Sequence, residues 1–156
     1  MKKKLNKIAK DTNTFLKNFI KKQGNSKLAP AMKYGLFPGG KKIRSKILID
    51  IGSLLSVNYK KMIIIGAAVE CIHAYSLIHD DLPCMDDDVV RRGKPSTHVK
   101  FGESTAVLAG NSLQTMACEI LANPVLTIKE KTKVSLIKKL SECSGHLGIA
   151  GGQYLD

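Results

Sequence analysis

YKKMIIIGAAVECIHAYSLIHDDLPCMDDDVVRRG, residues 59–93, joins the most apolar stretch of the chain to its most acidic one. Tyr59 to Asp81 is rich in Ala, Ile and Leu on most sides, the pattern of a helix enclosed by other helices rather than lying on a surface. Polar residues on such a helix need a partner or a purpose. Pro83 interrupts the pattern, because proline has no amide hydrogen to give to a helix interior. Around it, five aspartates fall within the nine positions 80–88, and Arg91 and Arg92 follow closely.

Helical spacing runs outward from this segment in both directions with no clear alternating strand pattern, so the expected fold is all-α. Leu5, Ile8, Phe15, Leu16, Phe19 and Ile20 make a first helix ending near Gly24-Asn25, and a short segment at 31–34 follows. GLFPGGKKIR, residues 35–44, sets a proline and two glycines before a helix over 43–56, which is a loop feeding a helix N-terminus. DDDVVRRGKPSTHVKFGE, residues 86–103, reads as an ordered loop, and a further helix spans about 103–121. Asn123-Pro124 marks a turn, after which one helical pattern is expected from about Lys129 through GGQYLD at 151–156.

At 156 residues and 44% hydrophobic content the chain suits one compact domain, taken as 1–156. The longest uninterrupted apolar run, Met62 to Val69, stops at Glu70, well short of the ~20 residues that cross a bilayer; no membrane span is expected. MKKKLNKIAK has the charge of a signal-peptide start, but Lys17, Lys21 and Lys22 interrupt any apolar stretch after it, so a cytoplasmic location is expected. Cys71, Cys84, Cys118 and Cys143 form no CxxC pair and are expected as reduced thiols packed like small apolar side chains. The net charge of +12 is concentrated in residues 1–61, which hold 16 Lys and Arg against 2 Asp and Glu. Only 5% of the chain is aromatic, little to stack on bases, so a solvated basic face is favoured over a nucleic-acid partner. Just three of the 25 basic residues are arginine, at 44, 91 and 92, which suggests that each is used for its planar fork toward phosphate or carboxylate.

Clustered carboxylates repel one another, and a folded chain keeps them together when cations bind or water screens them. Mg²⁺ suits the set, since it takes a few carboxylates, retains waters and fills its shell from substrate phosphates. Val69, His73, Ser76 and Asp80 share one helix face, so His73 points where Asp80 points. GGKKIR offers a second anion site, through free N–H groups at a helix start with Lys41 and Arg44 as i, i+3 neighbours. Tyr75, about 7 Å along the axis from Asp80, could floor an apolar pocket whose mouth holds metal.

ECIHAYSLIHDDLPCMDDDVVRRGKPSTHVKFGESTAVLAGNSLQT, residues 70–115, resembles the first aspartate-rich region of the trans-prenyl diphosphate synthase family in its bacterial farnesyl form. GGKKIR and GGQYLD resemble flanking signatures of that family in the same order. The resemblance implies an isoprenoid-synthase-type helical bundle, incomplete at its C-terminal end, that joins allylic diphosphates to isopentenyl diphosphate. It implies Asp80 and Asp86 as Mg²⁺ ligands with Asp81 in support, and Arg91 on the allylic diphosphate. Lys41, Arg44, His73 and Arg92 would hold isopentenyl diphosphate, and Gln153 and Asp156 would face the metal region from another helix. The aromatic at Tyr75, beside Ser76, and the four residues between Asp81 and Asp86 are associated with a farnesyl product, geranylgeranyl being the near alternative. A homodimer is implied for the intact enzyme. Asn111 stands where the family more often has aspartate, and family members are about twice as long, with a second aspartate-rich motif. Little or no turnover is therefore expected of residues 1–156 alone, and a non-catalytic partner subunit is the competing reading.

Overall fold

The structure, a computed structural model, describes residues 2–37 and 40–156. Pro38 and Gly39 of the expected loop lie outside the described residues. Among the described residues eight α-helices follow one another: α1 (Lys2–Lys22), α2 (Ala29–Leu36), α3 (Ile43–Leu54), α4 (Tyr59–Asp80), α5 (Thr97–Phe101), α6 (Glu103–Ala122), α7 (Glu130–Ser144) and α8 (Ile149–Leu155). α4 stands at the centre, packed against α1, α2, α3 and, most extensively, α6.

The apolar run that set α4 apart in the sequence is the reason for its place. Asn58 starts the helix by accepting hydrogen bonds from the Lys60 and Lys61 amides at 3.0 and 3.4 Å, the usual satisfaction of free N–H groups at a helix start. Ala67, Ala68, Cys71 and Ala74 of α4 and Ala106, Ala109, Leu113 and Ala117 of α6 are all buried in one core. Small residues on both helices let the axes approach, and Gly110 carries this furthest: a Cβ there would lie 2.2 Å from His79 Nε2. On the other side Gly66 lets α3 rest on α4, since a Cβ would meet Ser45 Oγ at 2.9 Å and its Cα at 3.3 Å. By length and composition α4 could cross a membrane, yet 61% of its most apolar stretch is buried inside the fold; enclosure by other helices accounts for that composition.

Three expectations need correction. The last helical pattern is broken: α7 ends at Ser144 and α8 begins at Ile149. The chain folds back so closely that a Cβ on Gly148 would lie 1.9 Å from the Cys143 carbonyl oxygen, a contact that only glycine permits. The segment after the aspartates is not all loop either. Val90–Arg91 (β1) pairs antiparallel with Lys94–Pro95 (β2), with Val90 opposite Pro95, around a turn in which Arg92 and Gly93 both have positive φ, 54° and 75°. Those angles suit the tight hairpin connection that matches strand twist, and two-residue strands are too short to leave a periodic signal. Nor are all the thiols packed away: Cys71 is buried, whereas Cys84 and Cys143 are exposed, and the four cysteines are free.

Gly110→Ala is expected to lower stability by about 1–3 kcal/mol, because the added methyl must push aside a packed imidazole. Denaturant unfolding of both forms measures it, and an unchanged midpoint would show that His79 can move at no cost.

Candidate functional site

Three features meet along one side and the C-terminal end of α4. The first is the acidic end. The Asp86 amide donates to the Asp80 carbonyl at 2.9 Å, and the Asp87 amide to Leu82 O at 3.1 Å. The chain after Pro83 is thus looped back so that Asp86 returns beside Asp80. Burial, and then the nearby Asp86 carboxylate, hold the Asp80 carboxyl above the usual carboxylate range. Asp87 takes a positive φ of 54° in this loop, a conformation that costs a non-glycine residue about 1 kcal/mol and tends to occur at working sites. Gln153 of α8 reaches across to donate to Asp86 Oδ1 at 3.1 Å. Asp156 is exposed at the end of the same helix.

Asp81, only 2% exposed, has a different partner. It accepts from Arg91 Nε at 2.9 Å and from Arg91 Nη2, and Nη2 also reaches Asp88 Oδ2 at 3.1 Å. The Arg91 fork holds the β1 strand against the end of α4. Among the described residues, no three His, Cys, Asp or Glu side chains form a ready-made metal cage. The acidic donors come instead as the neighbouring pair Asp80 and Asp86. Such a pair of hard oxygen donors fits Mg²⁺, which takes a few carboxylates and fills the rest of its shell from water and phosphate.

The second feature is a cationic cleft of about 80 Å³ lined by Gly40, Lys41, Lys42, Arg44, His73 and Arg92 among others. The fold therefore gathers the four residues expected to hold isopentenyl diphosphate. The Arg92 guanidinium lies against Gly40, where a Cβ would come within 2.7 Å of Nη1. Burial, and then the charges of Arg44, Arg92, Lys42 and Arg91, push the His73 imidazole down to about pKa 4. His73 is thus neutral at pH 7 and can donate or accept a hydrogen bond without adding charge.

The third feature is an apolar trough of about 470 Å³ between α3, α4, α6, α7 and α8, lined by Leu48, Ile65, Val69, Ile72, Ser76 and Leu140 among others. Arg44 and His73 line both the trough and the cationic cleft. Of the expected chain-length pair, Ser76 faces the trough, while Tyr75 stacks edge-on against His79 at 4.9 Å on the side toward α6.

Two residues of this region were not singled out by sequence. Lys42 is 6% exposed although it sits in a basic run, and Glu70 is 3% exposed. Glu70 did leave a signal, as the sole acid within the apolar run from Met62 to Ile78. Lys42 left none, because nothing in KKIR separates an inward lysine from an outward one.

The helical bundle has the all-α isoprenoid-synthase fold. Residues 25–156 match the polyprenyl synthetase family, and the chain belongs to that family. It is 47% identical over 133 residues to farnesyl diphosphate synthase of Escherichia coli K12, covering 85% of this chain and 44% of that protein. It superposes on a crystal structure of an FPP/GFPP synthase from Zymomonas mobilis with a TM-score of 0.92 at 37% identity, covering 99% of this chain and 56% of the other. A geranyltransferase structure from Legionella pneumophila gives 0.93 at 37% identity, covering 99% and 55%. The chain thus spans about half the length of the relatives it matches.

In an NMR titration the His73 ring is expected to change charge near pH 4 rather than at the ordinary 6.5. Because its folded pKa is depressed, its contribution to stability is full above 6.5 and is lost as pH falls toward 4. Arg44→Ala should move the midpoint upward; a midpoint at 6.5 in the unaltered chain would contradict the crowding of cations around the ring.

Proposed function

We propose that this chain forms the diphosphate-capturing half of a farnesyl diphosphate synthase. The observation that carries the reading is the continuity of its pockets: Arg44 and His73 line a cation-rimmed cleft and an apolar trough at once. A ligand that suits both has an anionic head and an apolar tail, which describes a prenyl diphosphate. The names and lengths of the relatives support the same reading for the whole enzyme.

In the proposed reaction Lys41, Arg44, His73 and Arg92 hold the diphosphate of isopentenyl diphosphate. Asp80 and Asp86 would hold Mg²⁺, with Asp81 and Arg91 bracing the loop and Gln153 steadying Asp86. When bound, Mg²⁺ supplies positive charge to the allylic diphosphate and so helps it to leave. The allylic carbon–oxygen bond breaks, and the isopentenyl double bond attacks the resulting allylic carbocation. A proton then passes to the released pyrophosphate. The basic side chains stabilise negative charge as it develops on that leaving group, which is the dominant form of catalysis for such a step. The apolar trough takes the growing chain, with Ser76 on its wall. A second copy of the enzyme is the proposed partner, and Val107 and Leu108, both exposed on α6, are the apolar surface that supports it.

The test is a chimera in which this chain is continued by the remaining length of the Escherichia coli relative. Supplied with Mg²⁺, isopentenyl diphosphate and dimethylallyl diphosphate, it is expected to release farnesyl diphosphate. Asp80→Ala with Asp86→Ala should cut turnover by roughly a hundredfold to a thousandfold. Undiminished product from the double variant would refute the assignment of those carboxylates.

A further inference from the structure

The start of α3 does not cap itself. Its N-cap residue is Lys42, no side-chain hydrogen bond caps the first turn, and that turn contains no acidic residue. A helix start leaves several N–H groups without partners inside the helix, and its dipole favours an anion there. In this chain the anion comes from another helix. Glu70, midway along α4, accepts a hydrogen bond at Oε1 from the Ser45 amide at 3.0 Å. Its Oε2 lies 3.8 Å from Lys42 Nζ, and both side chains are about 95% buried.

Lys42 extends the connection. Its Nζ donates to the carbonyl of Leu36, the last residue of α2, at 2.9 Å. Its backbone sits at φ 49° and ψ 47°, a left-handed conformation that lysine adopts only when its surroundings impose it. One lysine thus ties the end of α2, the start of α3 and the middle of α4. The turn it fixes carries Lys41 on one side and Arg44 on the other, both lining the cationic cleft. Glu70 lines that cleft too, but both of its oxygens are directed to Ser45 and Lys42 and away from an incoming anion.

We propose that Glu70 is a positioning residue for diphosphate: acting through the Ser45 amide and Lys42, it sets the turn that aims Lys41 and Arg44 into the cleft. The proposal rests on the reading of that cleft as the isopentenyl diphosphate site. It makes a counter-intuitive claim about sign. Removing a negative charge from a cationic cleft should tighten anion binding if charge alone matters. If Glu70 works by position, its removal weakens binding instead.

The experiment titrates residues 1–156 with inorganic pyrophosphate by calorimetry, with chelator present so that the acidic end takes no part. Binding by the unaltered chain is expected, and Arg44→Ala should abolish most of it. No binding by the unaltered chain would overturn the cleft reading and this proposal with it. Given binding, Glu70→Ala is expected to weaken it roughly tenfold, the effect of losing an acceptor that is charged. Amide exchange at Ser45 should accelerate in parallel. Glu70→Gln keeps an oxygen for the Ser45 amide and loses the charge beside Lys42, so its affinity should fall between the two. Pyrophosphate affinity in Glu70→Ala equal to or tighter than that of the unaltered chain, with a circular dichroism spectrum unchanged, contradicts the proposal while leaving the cleft reading intact. If the alanine variant does not fold, the glutamine variant decides: weaker binding supports the positioning role, and equal or tighter binding rejects it.

Discussion

A helix enclosed by four others cannot carry an unmatched charge, and α4 carries several. Burial raises the energy of each ionised group until a counter-charge or hydrogen bonds offset it. The buried acids of α4 and its C-cap are therefore tied to neighbours. Glu70 is tied to Lys42 and the Ser45 amide, and Asp81 to Arg91. Asp80 is the exception, its carboxyl raised by burial and by the Asp86 carboxylate beside it. The exception coincides with the proposed Mg²⁺ site.

This requirement also explains how the two halves of the site keep their spacing. His73 and Asp80 are two turns apart on one rigid helix, about 10 Å along the axis. The cationic cleft forms around His73 and the carboxylate pair forms at Asp80, so their separation is set by helix geometry and not by loops. The loops are then fixed to that helix by single ties: Arg91 holds the hairpin through Asp81, and the Asp86 amide holds the aspartate loop through the Asp80 carbonyl. Positive-φ residues sit at three of these junctions, Lys42, Asp87 and Arg92. Strain of this kind persists where the surrounding contacts over-determine the backbone.

The sequence carried the central helix, the all-α class and the identity of the charged clusters, because apolar periodicity and dense aspartates are strong local signals. It showed that His73 and Asp80 share a face, since that follows from helix spacing alone. It did not show which of Lys41 and Lys42 turns inward. That depends on a left-handed residue and on a glutamate 28 positions away from Lys42 in the chain. The break between α7 and α8 was missed for a related reason: Gly148 is required by contact with Cys143, and contact is invisible to periodicity. The pairing of Arg91 with Asp81 was not legible either, since two adjacent aspartates look alike until burial separates them.

Paramagnetic Mn²⁺ used in place of Mg²⁺ tests the central claim most directly. Added in small amounts to ¹⁵N-labelled chain with pyrophosphate present, it should broaden the amide signals of Asp80, Asp81 and Asp86 first, leaving those of Asp11, Asp50 and Glu142 sharp. Broadening spread evenly over exposed acidic residues, with no preference for the end of α4, would contradict it.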